Sequence, residues 1–255
     1  MNPSDYPLNN QAFLASKSNI PLEEVNFHST SFMDPNGKVF IWKGKLYRAL
    51  FQGKSEFYKK FIESNTYSEL SNEGKMVETQ WTLLHLEGFE SVLEHRLIQF
   101  PSYCIEWPPE MLRDAALLTV GLCLKLIDGN LTLQDAYPWN ILFEGTRPVF
   151  IDFSSIVPVN PSFLWIPYQQ FCDFFYHPLL LQAANHRVVS RKFLFDYLDG
   201  VPAEQLVRLL NPLQKIRLPG YFTRVSIPHA LSQRMSSAKW EKKLQQSTKD
   251  LKQHI

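Results

Sequence analysis

The sequence predicts an α+β fold in which a small β-rich lobe precedes a larger helical lobe. Three observations support this: two β-like runs joined by a tight turn early in the chain, a proline break at Trp107-Pro108-Pro109, and a long apolar helical segment directly after it. The chain has 255 residues, of which 45% are hydrophobic, so it is long enough to bury a core in one domain or in two small lobes.

The first lobe is predicted over residues 31–107, after an irregular polar arm formed by residues 1–30. Aromatic and branched residues favour strands at 39–42 and 46–51, and Lys43-Gly44 between them is typical of a hairpin turn. A helix is expected from Glu56 and a second short helix at 67–70. Residues 96–100 and 103–107 are interpreted as further strands.

The second lobe is predicted over residues 108–255. Residues 111–127 are apolar almost all round, which indicates a helix enclosed on every side. Short strands follow at 131–133, 141–143 and 148–153, and helices at 168–181, 191–198 and 203–210. Residues 236–255 are predicted to form an exposed, charged C-terminal helix.

Composition excludes several broad classes of function. The 26 basic and 25 acidic residues leave a net charge of +1, so no bulk charge attracts nucleic acid or an anionic membrane. Residues 115–127, the most apolar stretch, are fewer than the roughly 20 that span a bilayer. With no export signal at the start, a cytoplasmic location is expected. Cys104, Cys123 and Cys172 are far apart and are predicted to be reduced, buried thiols.

The residues that suggest chemistry are Asp135, Asn140 and Asp152. Asp135 leaves a short strand, Asn140 follows in the same loop, and Asp152 ends the apolar run Val149-Phe150-Ile151 after a hairpin. Two carboxylates and an amide that converge in this way suit a hard cation such as Mg²⁺ shared with phosphates. The alternative for each aspartate alone is a turn or cap that binds local amides.

This segment resembles the catalytic and metal-binding loops of protein kinases and of aminoglycoside and choline phosphotransferases. The resemblance implies a two-lobed kinase-like fold, with Asp135 as the base that orients or deprotonates the acceptor hydroxyl and Asn140 and Asp152 as Mg²⁺ ligands. The motifs between Leu133 and Leu180, which include Ser155 and Gln170, more closely resemble bacterial proteins labelled nodulation-related or class I S-adenosylmethionine-dependent methyltransferases. The similarity covers roughly residues 30 to 185. In those proteins the module precedes a separate methyltransferase domain.

The chain departs from the kinase pattern in the first lobe. It has no glycine-rich phosphate loop and no Val-Ala-x-Lys lysine, and Arg48 is the best substitute for that lysine. A strand arginine on a solvated face is an equally acceptable interpretation of Arg48. Glu106, beside Trp107, is the candidate for framing an adenine pocket. The candidates for the acidic partner of Arg48 are Glu69, Glu73 and Glu78.

Three functions follow as expectations. The first is an ATP- and Mg²⁺-dependent phosphotransferase whose acceptor is a small molecule or a polymer component. The second is a catalytically inactive kinase-like scaffold for a methyltransferase, which the missing glycine loop and lysine favour. The third is a methyltransferase itself, but no strand is followed by the glycine-rich turn and acidic residue that cradle S-adenosylmethionine.

Overall fold

The computed structural model describes residues 18–32, 34–159, 167–193 and 200–234. They form an α+β structure, which confirms the predicted class, and they divide into two compact units. The first unit contains the described residues up to Glu63 together with Thr79–Leu97. The second contains Ser64–Glu78 and the described residues from Ile98 onward.

The first unit contains seven described strands: β1 (Ser18–Ile20), β2 (Asn26–Phe27), β3 (Gly37–Trp42), β4 (Lys45–Leu50), β5 (Thr79–Trp81), β6 (Leu84–Leu86) and β7 (Ser91–His95). Five of them form an antiparallel sheet with strand order β2-β3-β4-β7-β5. A separate parallel pair joins β1 to β6, so part of the predicted irregular arm is in fact strand. One helix, α1 (Ser55–Ile62), follows β4.

The predicted hairpin of β3 and β4 is confirmed. Lys43 and Gly44 join the strands with φ angles of 48° and 76°. Two consecutive residues with positive φ form the turn whose twist matches that of the flanking strands. Phe40 and Tyr47 face each other across the pair, with ring centroids 5.5 Å apart, and both are buried.

The strands predicted at 96–100 and 103–107 are wrong. Aromatic and branched residues favoured strands there, but the structure has irregular chain followed by a single 3-10 turn at Cys104–Glu106. Pro101, Pro108 and Pro109 crowd this region and lack the N–H that a ladder needs. The strand that completes the sheet is β7, immediately before, which pairs with both β4 and β5.

The second unit begins with helix α2 (Asn65–Asn72), which is capped by Ser64 accepting a hydrogen bond from the Tyr67 N–H at 3.2 Å. Tyr67 packs edge-on against Phe153, with centroids 5.9 Å apart. Glu69 pairs with Lys125. Because of these contacts α2 belongs with the second unit, although the sequence-based division assigned it to the first lobe.

The second unit continues with α3 (Pro109–Asp128), which has proline in its first turn and Gly129 after its last. The strands are β8 (Leu131–Leu133), β9 (Ile141–Glu144), β10 (Arg147–Phe150) and β11 (Ile156–Pro158). They make two antiparallel pairs, β9 with β10 and β8 with β11. The helices after them are α4 (Tyr168–Phe171), a π-helical turn (Cys172–Tyr176), α5 (His177–Ala183), α6 (Arg187–Phe193), α7 (Ala203–Leu209), α8 (Pro212–Arg217), a second π-helical turn (Phe222–Ser226) and α9 (Ile227–Arg234).

Two of the helix predictions reach beyond what the structure describes. Positions 194–198 of the helix predicted at 191–198 lie outside the described residues, as does the whole charged helix predicted at 236–255. Among the helices that the structure does describe, none combines the length and apolarity needed to cross a bilayer.

Helix α3 is not enclosed on every side, as its composition had predicted. One side, formed by Leu112, Ala115, Leu122 and Leu126, is completely buried. The opposite side is exposed over three turns, at Leu117, Val120, Leu124 and Ile127. An apolar pattern that continues round a helix therefore does not show which side the fold covers.

Two leucines on α3 provide a matched test of this arrangement. Leu122 is 0% exposed and Leu124 is 65% exposed. Leu122→Ala is expected to lower the free energy of unfolding by about 2–5 kcal/mol, because it leaves a cavity in the core. Leu124→Ala is expected to change it by no more than about 0.5 kcal/mol. Urea unfolding followed by circular dichroism measures both, and equal losses would contradict the exposed side.

Candidate functional site

Hydrogen bonds hold the backbone at Asp135 and at the residues on either side of it. Asp135 lies two residues after β8, beside the start of β11. The Gln134 N–H donates to the Ser155 carbonyl at 2.7 Å, and the Asp135 N–H donates to Ser155 Oγ at 3.3 Å. On the other side, the Ala136 N–H donates to the Gln170 side-chain oxygen at 3.0 Å. The backbone of Asp135 is therefore fixed by two segments distant in sequence.

Asn140 joins Asp135 to the second carboxylate. It ends a 3-10 turn, Pro138–Asn140, immediately before β9. Its amide nitrogen donates to Asp135 Oδ1 at 2.5 Å, and its backbone carbonyl accepts from the Ile151 N–H at 2.8 Å. Because the nitrogen donates to Asp135, the amide oxygen is the atom that a hard cation would take.

Asp152 lies one residue beyond Ile151 and is half-buried, and Phe150 and Phe153, which flank it in sequence, are buried. Its Oδ1 accepts from Ser154 Oγ at 2.7 Å, and its backbone carbonyl accepts from the Ser155 N–H at 3.1 Å. The local turn thus uses part of the carboxylate, as expected for an aspartate at the end of a strand. The hydrogen bonds of Asn140 join the Asp135 loop to Ile151, the residue before Asp152.

Two aromatic side chains of the Asp135 loop pack against one buried phenylalanine. Tyr137 and Trp139 both pack edge-on against Phe174, at centroid distances of 5.0 and 5.8 Å. Phe174 is buried within the π-helical turn Cys172–Tyr176. Such single π turns are frequent at functional sites.

Sequence reasoning named Ser155 and Gln170 only as part of a resemblance and assigned them no role. In the structure they supply the three hydrogen bonds that hold the Asp135 loop. The available signal was weak, since each is a polar residue next to an apolar segment. Their function depends on contacts across 20 and 34 positions of the chain.

The donor set at this site suits Mg²⁺ better than a transition metal. Among the described residues, no group of three or more His, Cys, Asp or Glu side chains is arranged to hold a metal ion. The Asp135, Asn140 and Asp152 group instead offers carboxylate and amide oxygens. Mg²⁺ is typically held by one or two carboxylates and keeps several waters and substrate phosphates as its other ligands.

Arg48 and Glu106, the two candidate nucleotide-binding residues, both have partners within the protein. Arg48 lies on β4 in the first unit, is buried, and forms an ion pair with Asp34. Glu106 lies in the second unit with its side chain at the surface, where its carboxylate accepts from the Tyr103 N–H at 2.9 Å and so caps the 3-10 turn. Trp107 beside it is buried and packs against Phe143.

The cysteines offer no nucleophile. Cys104, Cys123 and Cys172 are all free and buried, as predicted. Burial raises the pKa of Cys104 and of Cys123 to about 12, and that of Cys172 to about 11. Thiols with such values remain protonated and unreactive at neutral pH.

Comparison with known proteins identifies one informative similarity. No family model matches the chain. Nodulation protein NoeA of Rhizobium meliloti (strain 1021) is 34% identical over 187 residues, which are 71% of this chain and 38% of NoeA. The chain therefore spans well under half the length of this relative. The match agrees with the resemblance to nodulation-related proteins and gives no independent indication of a kinase.

Proposed function

We propose that the chain is an ATP- and Mg²⁺-dependent phosphotransferase with a two-lobed, protein-kinase-like fold. The observation that carries this proposal is the junction at Asn140. The side chain of Asn140 binds the Asp135 carboxylate, and its backbone binds Ile151, the neighbour of Asp152. One asparagine thus links the Asp135 loop to the segment that leads into Asp152, 17 positions further along the chain, and this link supports a shared site over two unrelated turn caps.

Each residue has a distinct role in this proposal. Asp135 would orient the acceptor hydroxyl and take its proton, since its loop is held rigidly by Ser155 and Gln170. The oxygens of Asn140 and Asp152 would hold Mg²⁺. The metal supplies neutralisation of the charge that develops on the transferred phosphoryl group.

The topology of the first unit supports the kinase-like fold. A small antiparallel sheet carries a cationic side chain, Arg48, on its central strand β4, and helix α1 follows that strand before β5 returns to the sheet. Kinases likewise place the phosphate-binding cation on a small-lobe strand that precedes a helix. The departures are the missing glycine-rich loop and the use of Glu106 as a local cap.

A second candidate is the catalytically inactive scaffold associated with a methyltransferase. The ion pair between Arg48 and Asp34 favours it, because a guanidinium that already has an internal anion is less available to a nucleotide. The partial coverage of NoeA also leaves room for another domain in that relative. The acceptor of the phosphotransferase, a small molecule or a polymer component, and a cytoplasmic location remain proposals.

The test is thermal stability of the purified chain with ATP, with Mg²⁺, with both, and with S-adenosylmethionine. A ligand that binds only the folded protein at 100 times its Kd stabilises it by about 2.7 kcal/mol. We expect a shift of the melting temperature that requires ATP and Mg²⁺ together and that is lost in Asp152→Asn.

The matched control is Asp114→Asn, which removes a surface carboxylate of the same unit that pairs with Arg113. This variant should keep the full shift. No response to ATP in the wild type would contradict the phosphotransferase and favour the scaffold. A response to S-adenosylmethionine alone would favour the methyltransferase.

A further inference from the structure

Arg48 and Asp34 form a buried ion pair. The Arg48 side chain is 7% exposed and the Asp34 side chain is 13% exposed. Arg48 lies on the central strand of the sheet, opposite Val39 on β3 and Leu93 on β7. A guanidinium buried in such surroundings is stable only with an anion beside it.

Asp34 is presented by the loop between β2 and β3. Its two carboxylate oxygens have different partners: Oδ1 accepts from the Asn36 N–H at 2.8 Å, and Oδ2 accepts from Arg48 Nη1. The first of these bonds forms an Asx turn, which sets the direction of the side chain locally. The second is the tertiary contact that brings the loop residue to the sheet.

Two further anchors attach this loop to β3. Lys38 Nζ donates to the backbone carbonyls of Ser31 at 3.0 Å and Phe32 at 2.6 Å. The Val39 N–H donates to Ser31 Oγ at 2.9 Å. Residues just before Asp34 are therefore attached to β3, and this attachment helps to hold Asp34 near Arg48.

The neighbouring histidine does not act as a competing cation. His95, on β7, is buried and hydrogen-bonded to Thr79 Oγ1 at 2.8 Å. Burial, and to a lesser extent the charge of Arg48, lowers the pKa of His95 to about 3. The imidazole is neutral at physiological pH and adds no positive charge beside the Arg48–Asp34 pair.

We infer that Asp34 is a built-in anion that occupies Arg48 and must be displaced before a phosphate-bearing ligand can bind there. A carboxylate and a phosphate engage a guanidinium through the same paired N–H donors, so they compete for it. The inference rests on the proposed function, in which Arg48 takes the place of the phosphate-binding lysine. The contact of Asp34 with Arg48 would then be autoinhibitory, because it blocks ligand binding until the loop between β2 and β3 moves away.

The test uses Asp34→Asn, which keeps the oxygen that accepts from Asn36 and removes only the charge. The probe is inorganic phosphate without Mg²⁺, titrated at constant ionic strength with chloride as the replaced ion. Asp34→Asn should melt at a lower temperature than the wild type in chloride, and phosphate should restore its stability. Phosphate affinity should rise by about tenfold over the wild type, a typical coupling between two competing groups.

Two variants complete the design. Glu24→Gln removes an exposed carboxylate of the same unit that accepts from the Trp42 indole, and it should behave like the wild type. Asp34→Asn combined with Arg48→Met should lose the response to phosphate. If Asp34→Asn responds to phosphate no more than the wild type does, the pair is purely structural and the inference is overturned.

If Asp34→Asn does not fold in chloride, refolding in phosphate but not in chloride supports the inference, and failure in both overturns it. The same titration in an Asp152→Asn background separates this inference from the proposed function. Loss of Mg²⁺-ATP binding through Asp152 leaves the phosphate response intact, because the probe contains neither metal nor nucleotide.

Discussion

Replacing Asp135 with asparagine is expected to lower the rate of phosphoryl transfer by about 10²–10⁴-fold, which is the usual contribution of a positioned general base. The change keeps the shape of the side chain and an oxygen that can still accept from Asn140. The loop should therefore remain in place, held by Ser155 and Gln170 through backbone N–H groups that the substitution does not touch.

The measurement is ADP release from Mg²⁺-ATP with water as the acceptor, alongside the thermal shift with the same ligand. Asp135→Asn should lose turnover and keep the shift, whereas Asp152→Asn should lose both. Asp114→Asn, on the surface of α3, is the control and should retain both. Turnover at the wild-type rate in Asp135→Asn would show that Asp135 is a structural turn residue.

Removing the ring of Phe143 is expected to have the largest effect on stability. Phe143 lies on β9, three residues after Asn140, and its buried ring meets the Trp107 ring edge-on at a centroid distance of 5.0 Å and an interplanar angle of 69°. Phe143→Ala should lower the free energy of unfolding by about 3–5 kcal/mol. That is a large share of the 5–15 kcal/mol that is typical of a folded domain.

The control for this prediction is Phe100→Ala in the same unit. Phe100 is 89% exposed, so its loss should change the free energy of unfolding by no more than about 0.5 kcal/mol. Urea unfolding monitored by tryptophan fluorescence compares the two, because Trp107 contacts the Phe143 ring and its emission follows unfolding of this unit. Similar losses in both variants would contradict the packing at Trp107.

Sequence patterns predicted the local structure well where residues close together in the chain determine it. The Lys43-Gly44 turn and both its strands were predicted, since a turn with two positive φ angles favours few residue types. The long helix α3 was predicted from its apolar residues and the prolines before it. The strand β7 was missed, because Glu94 and His95 interrupt its apolar pattern and its stability comes from pairing with β4 and β5.

The convergence of Asp135, Asn140 and Asp152 on one metal site stays a prediction. Their spacing and the hairpin between them suggested it, and the hydrogen bonds of Asn140 join the Asp135 loop to the segment before Asp152. The acidic partner of Arg48 was sought among three glutamates, and the structure shows a carboxylate outside that set, Asp34, paired with it. Two of those glutamates have other partners, Glu69 with Lys125 and Glu73 with Lys75.

The sequence by itself determined the α+β class, the hairpin and the main helix, because each depends on short-range backbone preferences or on the pattern of apolar residues along the chain. The tertiary structure alone decided which side of α3 is left exposed and that Asp34 pairs with Arg48. Both are set by which distant segments come to lie against a residue. A buried charge takes the anion that the fold brings within reach, and no local pattern encodes that choice.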